Sequence, residues 1–174
     1  MGIENKIGIE ILACGGTWDA ERIERVNSKE KYFFAETHIP MALRQGRAIN
    51  DFNIETLMLK DSLEMTVEDR DLISKACKHS LYKEILIIHG TDTMVETAKY
   101  LGKNLSELCD KTIVLTGAII PYKKIESDAL FNLGFALSVV QTSPRGIYVA
   151  MNGRTFNWYN VEKNKEKGIF VERK

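Results

Sequence analysis

Residues 84–98 read EILIIHGTDTMVETA, and this stretch joins an apolar run to an amphipathic run through a short polar motif. The apolar run at residues 84–88 predicts a buried strand, because strands covered on both faces read as short, nearly continuous apolar segments. Apolar residues then recur at steps of three and four, which predicts a helix with one buried face: Met94, Ala98, Leu101, Leu105 and Leu108. The stretch therefore predicts a β-α unit with polar residues at the carboxyl end of its strand.

The same arrangement recurs along the chain, where four other strand-like runs also end in a short polar motif. These motifs lie at residues 14–17, 60–62, 116–118 and 151–153. Repeated β-helix-β units predict an α/β protein, specifically a three-layer α/β/α sandwich with a mainly parallel sheet in a single domain over residues 1–174. Ligands of such sheets bind beyond the carboxyl ends of the strands, so we expect the polar motifs to converge on one site.

Other segments carry predictions of local structure. Residues 18–32 are polar, charged and poorly periodic, which predicts a mobile loop, whereas residues 168–171 predict an added edge strand. Thr66 begins a capping-box-like sequence, so a helix should start there and a second should start at Ser127. The first of these helices is expected to bury Leu72, Ile73, Ala76 and Cys77.

Composition limits the classes of partner. Lys plus Arg and Asp plus Glu number 24 each, so no overall field attracts nucleic acid or an anionic membrane, and a small neutral or zwitterionic ligand is favoured. Cys14, Cys77 and Cys109 are odd in number and form no C-x-x-C pair, which argues against a disulfide framework or a cysteine zinc site. Residues 1–7 lack the apolar core of a signal peptide and no run reaches membrane-spanning length, so a reduced, cytoplasmic protein is expected.

Two motifs contain groups suited to catalysis. Gly15 and Gly16 allow a sharp turn that presents the Thr17 hydroxyl at the sheet edge, although a lone G-G-T motif more often marks a capped glycine turn. In residues 89–93, Thr91 adds a hydroxyl and Asp92 a carboxylate able to hold an ammonium group or orient a lysine. The alternative is that Thr91 or Asp92 only caps the following helix.

Metal chemistry is not expected. His89 is interpreted as a packed, hydrogen-bonded histidine, because neither His38 nor His79 lies at a spacing useful for a shared metal. The sequence therefore predicts neither a metal nor an organic cofactor.

Taken together, residues 13–17, 89–98, 115–118 and 127–133 resemble the amino-terminal domain of the bacterial-type L-asparaginases. The likeness runs in order along almost the whole chain, and the H-G-T-D-T-M element is its most specific part. Residues 59–66 also resemble the loop with which that family holds the substrate carboxylate.

The resemblance implies a role for individual residues. Thr17 matches the nucleophilic threonine, Thr91 the second catalytic threonine, and Asp92 the acid beside it. Lys163 matches the catalytic lysine, with Lys165 as an open alternative two residues later. By the same resemblance, substrate binding is assigned to Asp61, Ser62, Gly90, Ala118 and the loop tyrosine Tyr32.

Two features depart from the family pattern. Trp18 stands where a smaller aliphatic residue is usual, and residues 20–31 are charged rather than glycine-rich. Family members also continue into a carboxyl-terminal domain, whose residues complete the pocket of a neighbouring subunit. That domain is expected to be absent here, so either a homo-oligomer of this domain supplies the missing wall or the site is open.

Three functions follow from these observations. The first is an amidohydrolase that converts L-asparagine, or a related small carboxamide, to carboxylate and ammonia through a threonine acyl-enzyme. The second is a non-catalytic module that binds an amino acid or related metabolite. The third is an interaction protein that docks another chain at its exposed sheet edge.

Overall fold

The computed structural model describes residues 6–105 and 110–173. The sequence-based expectations for residues 1–5, Leu108 and Cys109 lie outside these ranges. Four helices are described: α1 Ile39–Gln45, α2 Val67–His79, α3 Met94–Leu105 and α4 Ala129–Thr142. The described strands are β1 Lys6–Gly15, β2 Arg22–Val26, β3 Lys29–Phe33, β4 Phe52–Lys60, β5 Tyr82–Ile88, β6 Thr112–Thr116, β7 Gly146–Met151, β8 Arg154–Asn157, β9 Glu162–Asn164 and β10 Ile169–Val171.

The central sheet has six strands in the order β4-β1-β5-β6-β7-β8. All neighbouring pairs from β4 to β7 are parallel, and only the edge strand β8 is antiparallel to its neighbour. β1 and β5 are adjacent at the centre of the sheet, with β4 beside β1 and with β6 and β7 following β5 on the other side. The polar motifs that follow β1 and β5 therefore lie side by side. The predicted mainly parallel sheet is confirmed.

Helices cover both faces of the sheet. Within β5, Ile85 and Ile87 pack in the core that contains residues of α2 and α3, whereas Leu86 and Ile88 pack in the core that contains residues of α1 and α4. Burying one such side chain contributes about 1.5–3 kcal/mol, which explains why residues 85–88 of β5 are apolar at every position and not at alternate ones. The predicted three-layer sandwich is thus confirmed.

The prediction of a mobile loop over residues 18–32 is wrong in its secondary structure. Residues Thr17–Asp19 form a 3-10 turn, and β2 and β3 then pair as an antiparallel hairpin. Asn27 and Ser28 both have positive φ, as the central residues of a type I′ hairpin turn do. Trp18 is fully buried and stacks on Tyr122, with ring centroids 6.2 Å apart.

The prediction of an added edge strand at residues 168–171 is also wrong. β10 pairs with β9 in a separate two-stranded sheet, because the Asn152-Gly153 turn returns the chain as β8 and occupies the edge of the main sheet first. In α2, Ile73 and Cys77 are buried as predicted, but Leu72 is 44% exposed. Among the described residues, no helix is long and apolar enough to cross a membrane.

Candidate functional site

A pocket of about 400 Å³ opens at the carboxyl ends of the parallel strands. Its position follows from the topology, since the segments after β1 and β5 meet at this edge. The pocket is lined by Thr17, Tyr32, Leu63, Thr91, Asp92, Ile119, Lys163, Lys165 and Gly168. Five residues that the sequence singled out for catalysis or substrate binding therefore share one cavity.

Two glycines bring the first two polar motifs into contact. Gly15 and Gly16 have φ values of 82° and 77°, a region that L side chains rarely adopt. A Cβ on Gly16 would lie 2.3 Å from the Cα of Gly90, so the two backbones approach too closely for any side chain at this position. This close approach places Thr17 and Thr91 on the same pocket.

Lys163 is hydrogen-bonded to both polar groups of the second motif. Its Nζ donates to Thr91 Oγ1 at 2.9 Å and to Asp92 Oδ1 at 2.6 Å. The Lys163 side chain is 12% exposed and the Asp92 side chain 40%, so the amine is shielded from solvent while the carboxylate remains accessible from the pocket. These hydrogen bonds come from Lys163, whereas Lys165 lines the pocket at its exposed side.

The small second sheet positions Lys163. In the β9–β10 pair, Lys163 lies opposite Phe170, whose side chain is buried in the core beside α3. The Phe170 amide donates to Asn152 Oδ1 at 3.0 Å, which fixes the pair to the turn after β7. The lysine is thus held by a packed element, although the sequence around it is polar.

Tyr32 reaches the pocket from the hairpin. Its hydroxyl donates to Glu30 Oε2 at 2.8 Å, and its side chain lines the pocket together with Thr17. Partial burial, and next the bond to Glu30, raise the pKa of Tyr32 to about 12, so its phenol is protonated at neutral pH.

Other residues that the sequence assigned to substrate binding lie behind the pocket and not in its lining. Ser62 is buried, and its carbonyl accepts from Thr93 Oγ1 at 2.8 Å. Asp61 accepts from the Leu63 amide at 3.1 Å and so caps the turn Ser62–Glu64, while burial raises its pKa. Ala118 is buried in the core beside α4, and Gly90 packs against Ser62 and Gly16. Their roles in binding stay predictions.

His89 is fully buried beneath this motif, as the sequence predicted for a packed histidine. Its ring contacts the Gly90 carbonyl through Nδ1 at 2.7 Å and Thr97 Oγ1 through Nε2 at 2.9 Å. The Gly90 carbonyl can only accept, so Nδ1 carries the proton of the neutral ring and Nε2 accepts from the Thr97 hydroxyl. The Thr97 oxygen in turn accepts from Arg70 Nε at 3.1 Å.

Burial lowers the pKa of His89 to about 4, so the imidazole is neutral and its tautomer is set by these neighbours. Because the Gly90 carbonyl is held toward His89, the Thr91 amide on the same peptide plane points the opposite way. Sequence reasoning did not identify Arg70 or Thr97, since their spacing from His89 along the chain carries no signal of this contact.

A second group of buried polar residues follows Thr17 and was also missed. Asp19 is fully buried, and its Oδ1 accepts from the His38 amide at 2.8 Å and from Thr37 Oγ1 at 3.1 Å. Burial raises the pKa of Asp19 to about 6, against the lowering effect of these hydrogen bonds. In the sequence, Asp19 is only one charge among many.

The pocket contains charges of both signs, with the amines of Lys163 and Lys165 near the carboxylate of Asp92. This mixture suits a small ligand that is neutral or zwitterionic. Within residues 6–105 and 110–173, no cluster of three or more His, Cys, Asp or Glu residues is arranged to hold a metal ion.

A family model for the asparaginase N-terminal domain matches residues 8–169. The chain belongs to the asparaginase family. The resemblance inferred from the motifs is therefore confirmed, and with it hydrolase chemistry on asparagine as the activity of the family to which the chain belongs.

Individual family members show how far the similarity extends. L-asparaginase 1 of Escherichia coli (strain K12) is 40% identical over 173 residues, which cover 94% of this chain and 49% of that protein. The probable periplasmic L-asparaginase of Haemophilus influenzae is 33% identical, covering 92% and 47%. A solved structure, the probable cytoplasmic L-asparaginase from Campylobacter jejuni, has a TM-score of 0.72 at 31% identity, covering 91% and 50%.

The chain spans about half the length of the curated asparaginases that it matches. The Haemophilus influenzae relative is named as periplasmic, whereas the solved structure from Campylobacter jejuni is named as cytoplasmic. The cytoplasmic location expected from the sequence therefore stays a prediction.

Proposed function

We propose that the chain is an amidohydrolase that cleaves the side-chain amide of L-asparagine, or a related small carboxamide, to carboxylate and ammonia. One observation carries the proposal: Lys163 Nζ lies between Thr91 Oγ1 and Asp92 Oδ1, at 2.9 and 2.6 Å, in the pocket that also contains Thr17. A hydroxyl, an amine and a carboxylate in such contact form a proton-transfer unit. Membership of the asparaginase family supports the same assignment.

In the first half of the proposed reaction, Thr17 is the nucleophile. Its oxygen bonds to the carbon of the amide carbonyl as its proton passes to Tyr32, which lines the same pocket, while Tyr32 gives its own proton to the Glu30 carboxylate. The tetrahedral intermediate collapses when the carbon–nitrogen bond breaks, and the leaving nitrogen takes that proton back from Glu30 through Tyr32 to depart as ammonia. The product of this half is an ester on Thr17.

In the second half, water hydrolyses the ester on Thr17. Thr91 and Lys163 lie on the same pocket and share a hydrogen bond, so the proton of the attacking water can pass to the Thr91 oxygen as Thr91 gives its own proton to Lys163 and Lys163 gives one to the Asp92 carboxylate. Asp92 thus holds the proton while Lys163 stays an ammonium. When the bond between the Thr17 oxygen and the acyl carbon breaks, the proton returns through the same groups to Thr17, and the acid product leaves.

A non-catalytic amino-acid-binding module is the second candidate, and the open pocket mouth favours it. Leu63 lines that mouth and is 67% exposed, so a substrate is not enclosed within a single copy. Acyl transfer benefits from exclusion of bulk water, because electrostatic interactions strengthen in a closed site. If the enzyme is active, we propose that a second copy of the chain covers this mouth in a homo-oligomer.

Ammonia release from L-asparagine and L-glutamine by the purified protein tests the proposal directly. Thr17→Val and Thr91→Val should each remove most turnover, since each replaces one hydroxyl with a methyl group of similar size. Lys163→Met should lower the rate by roughly a hundred- to ten-thousand-fold, the usual worth of acid-base assistance. Lys167→Met is the matched control, because Lys167 is an exposed lysine nearby that does not line the pocket.

The two candidates separate on one comparison. If calorimetry detects binding of L-aspartate or L-asparagine to the wild type but no ammonia forms, the binding-module function is correct and the enzyme function is not. Retention of turnover by Lys163→Met would remove Lys163 from the proposed site.

A further inference from the structure

The turn that carries Thr17 continues into a buried polar cluster that the proposed reaction does not use. Trp18, Asp19 and His38 are 0%, 0% and 2% exposed. Each has one buried polar atom without a hydrogen-bond partner: Trp18 Nε1, Asp19 Oδ2 and His38 Nδ1. Such atoms are costly, so three of them in neighbouring side chains call for an explanation.

One ring nitrogen of His38, Nε2, has a hydrogen-bond partner. Its Nε2 lies 2.9 Å from Glu21 Oε1, and Lys123 Nζ donates to the other oxygen of Glu21. The bond from Lys123, followed by that from His38, lowers the pKa of Glu21, so this carboxylate is ionised and can only accept. The imidazole therefore carries a proton on Nε2.

The other ring nitrogen of His38, Nδ1, faces Asp19 but makes no hydrogen bond. Nδ1 lies 3.9 Å from Asp19 Oδ1, an oxygen already occupied by the His38 amide and Thr37. If Nδ1 has no proton and Asp19 is ionised, a lone pair meets a carboxylate in a buried position. A proton on Asp19 Oδ2 lets a small movement of the carboxyl group complete a hydrogen bond from Oδ2 to Nδ1, the two atoms of the pair that lack a partner.

Backbone hydrogen bonds join the same cluster to the turn that carries Thr17. The Asp19 amide donates to Gly16 and the Ala20 amide to Thr17, both at 3.2 Å, so a movement of Asp19 moves this turn. Tyr122 contacts two members of the cluster, because Trp18 stacks on its ring and His38 lies 5.8 Å from it. The Tyr122 amide also donates to the Trp18 carbonyl at 3.2 Å.

We propose that Asp19 and His38 form a latch that closes when the pair holds one shared proton, and that the closed latch positions the Thr17 hydroxyl. The groups that face this pair are Thr37, the Glu21 carboxylate with Lys123, the Tyr122 ring and, more distantly, the buried Cys14 thiol. A pair that holds its proton in the folded state loses it as the pH rises, so the latch closes at lower pH and opens at higher pH. The consequence for turnover rests on the proposed amidohydrolase function, but the latch itself does not.

Trp18 fluorescence reports the latch without any substrate. The chain has two tryptophans, so Trp158→Phe isolates the signal of Trp18. We expect one transition between pH 5 and 8.5 in this background. Asp19→Asn should retain the low-pH signal throughout, because its amide nitrogen donates to His38 Nδ1 without titrating. Asp51→Asn, a change at an exposed aspartate outside the cluster, should retain the transition.

Trypsin cleavage at pH 8 gives an independent measure. Arg22, Arg25 and Lys31 are exposed cleavage sites in the hairpin that follows the latch. Asp19→Asn should be cleaved there about tenfold more slowly than the wild type and Asp51→Asn, since its latch stays closed. The proposal is overturned if the wild type shows no fluorescence transition, if Asp19→Asn retains it, or if both aspartate variants are cleaved alike.

Activity provides the last readout. If ammonia is released, kcat of the wild type should fall as the pH rises, and Asp19→Asn should remove this fall with KM unchanged. A purely structural role would alter unfolding without removing the pH dependence of kcat. If the wild type releases no ammonia, the proposed function fails, while fluorescence and cleavage still decide on the latch.

Discussion

The hydroxyl of Thr97 decides how the buried His89 is held, and its removal has a defined cost. Thr97→Val leaves His89 Nε2 and Arg70 Nε without this partner, so we expect the free energy of unfolding to fall by about 1–3 kcal/mol. Urea unfolding measures this change. Thr155→Val, at an exposed position in β8, is the control and should change stability by less than about 0.5 kcal/mol.

Asp19 should make stability depend on pH in a specific direction. Its pKa is raised from 3.8 to about 6 by burial, so its favourable contribution is present below about pH 4 and lost as the pH rises through 6. Asp19→Asn should therefore be more stable than the wild type at pH 8, by at most about 3 kcal/mol, and similar at pH 4. Urea unfolding at both pH values checks this, and equal stability at pH 8 would contradict it.

At the scale of elements, the turn after β1 and the turn after β5 are in backbone contact. Gly16→Ala should cost roughly 3 kcal/mol or more, because the new Cβ meets Gly90 and φ is positive. Gly134→Ala is the opposite case, since its site in α4 is exposed and has no atom within 4 Å. That variant should gain about 0.5–1 kcal/mol. Thermal unfolding of both variants distinguishes a contact between elements from a general effect of glycine.

At the scale of the whole molecule, association is expected at the pocket mouth, where Leu63 and Ile119 expose apolar surface. Sedimentation velocity at micromolar concentration should show a dimer or a larger closed oligomer. Leu63→Glu should shift it toward monomer, whereas Ile125→Glu, which changes an exposed apolar side chain outside this pocket, should not. A wild type that is strictly monomeric would contradict the proposal that a second copy covers the site.

Much of the fold was predictable because its signals are local. Apolar runs such as residues 84–88 predict buried strands, and the Thr66 capping box begins α2 where the sequence placed it. The prediction for residues 18–32 was wrong because their structure depends on contacts that are not local. Their charges are typical of a loop, while the turn at Asn27-Ser28 and the burial of Trp18 depend on pairing and on Tyr122, which lies far along the chain.

By itself, the sequence determined the order of β-α units, the strand ends that carry Thr17 and Thr91, and the family to which the chain belongs, since each depends on residues close together in the chain. Only the tertiary structure decided that Lys163 contacts Thr91 and that Asp19 faces His38. Those pairs lie far apart in the chain, and hydrogen bonds form within about 3 Å in space whatever the separation in sequence. Packing of distant elements therefore decides these contacts.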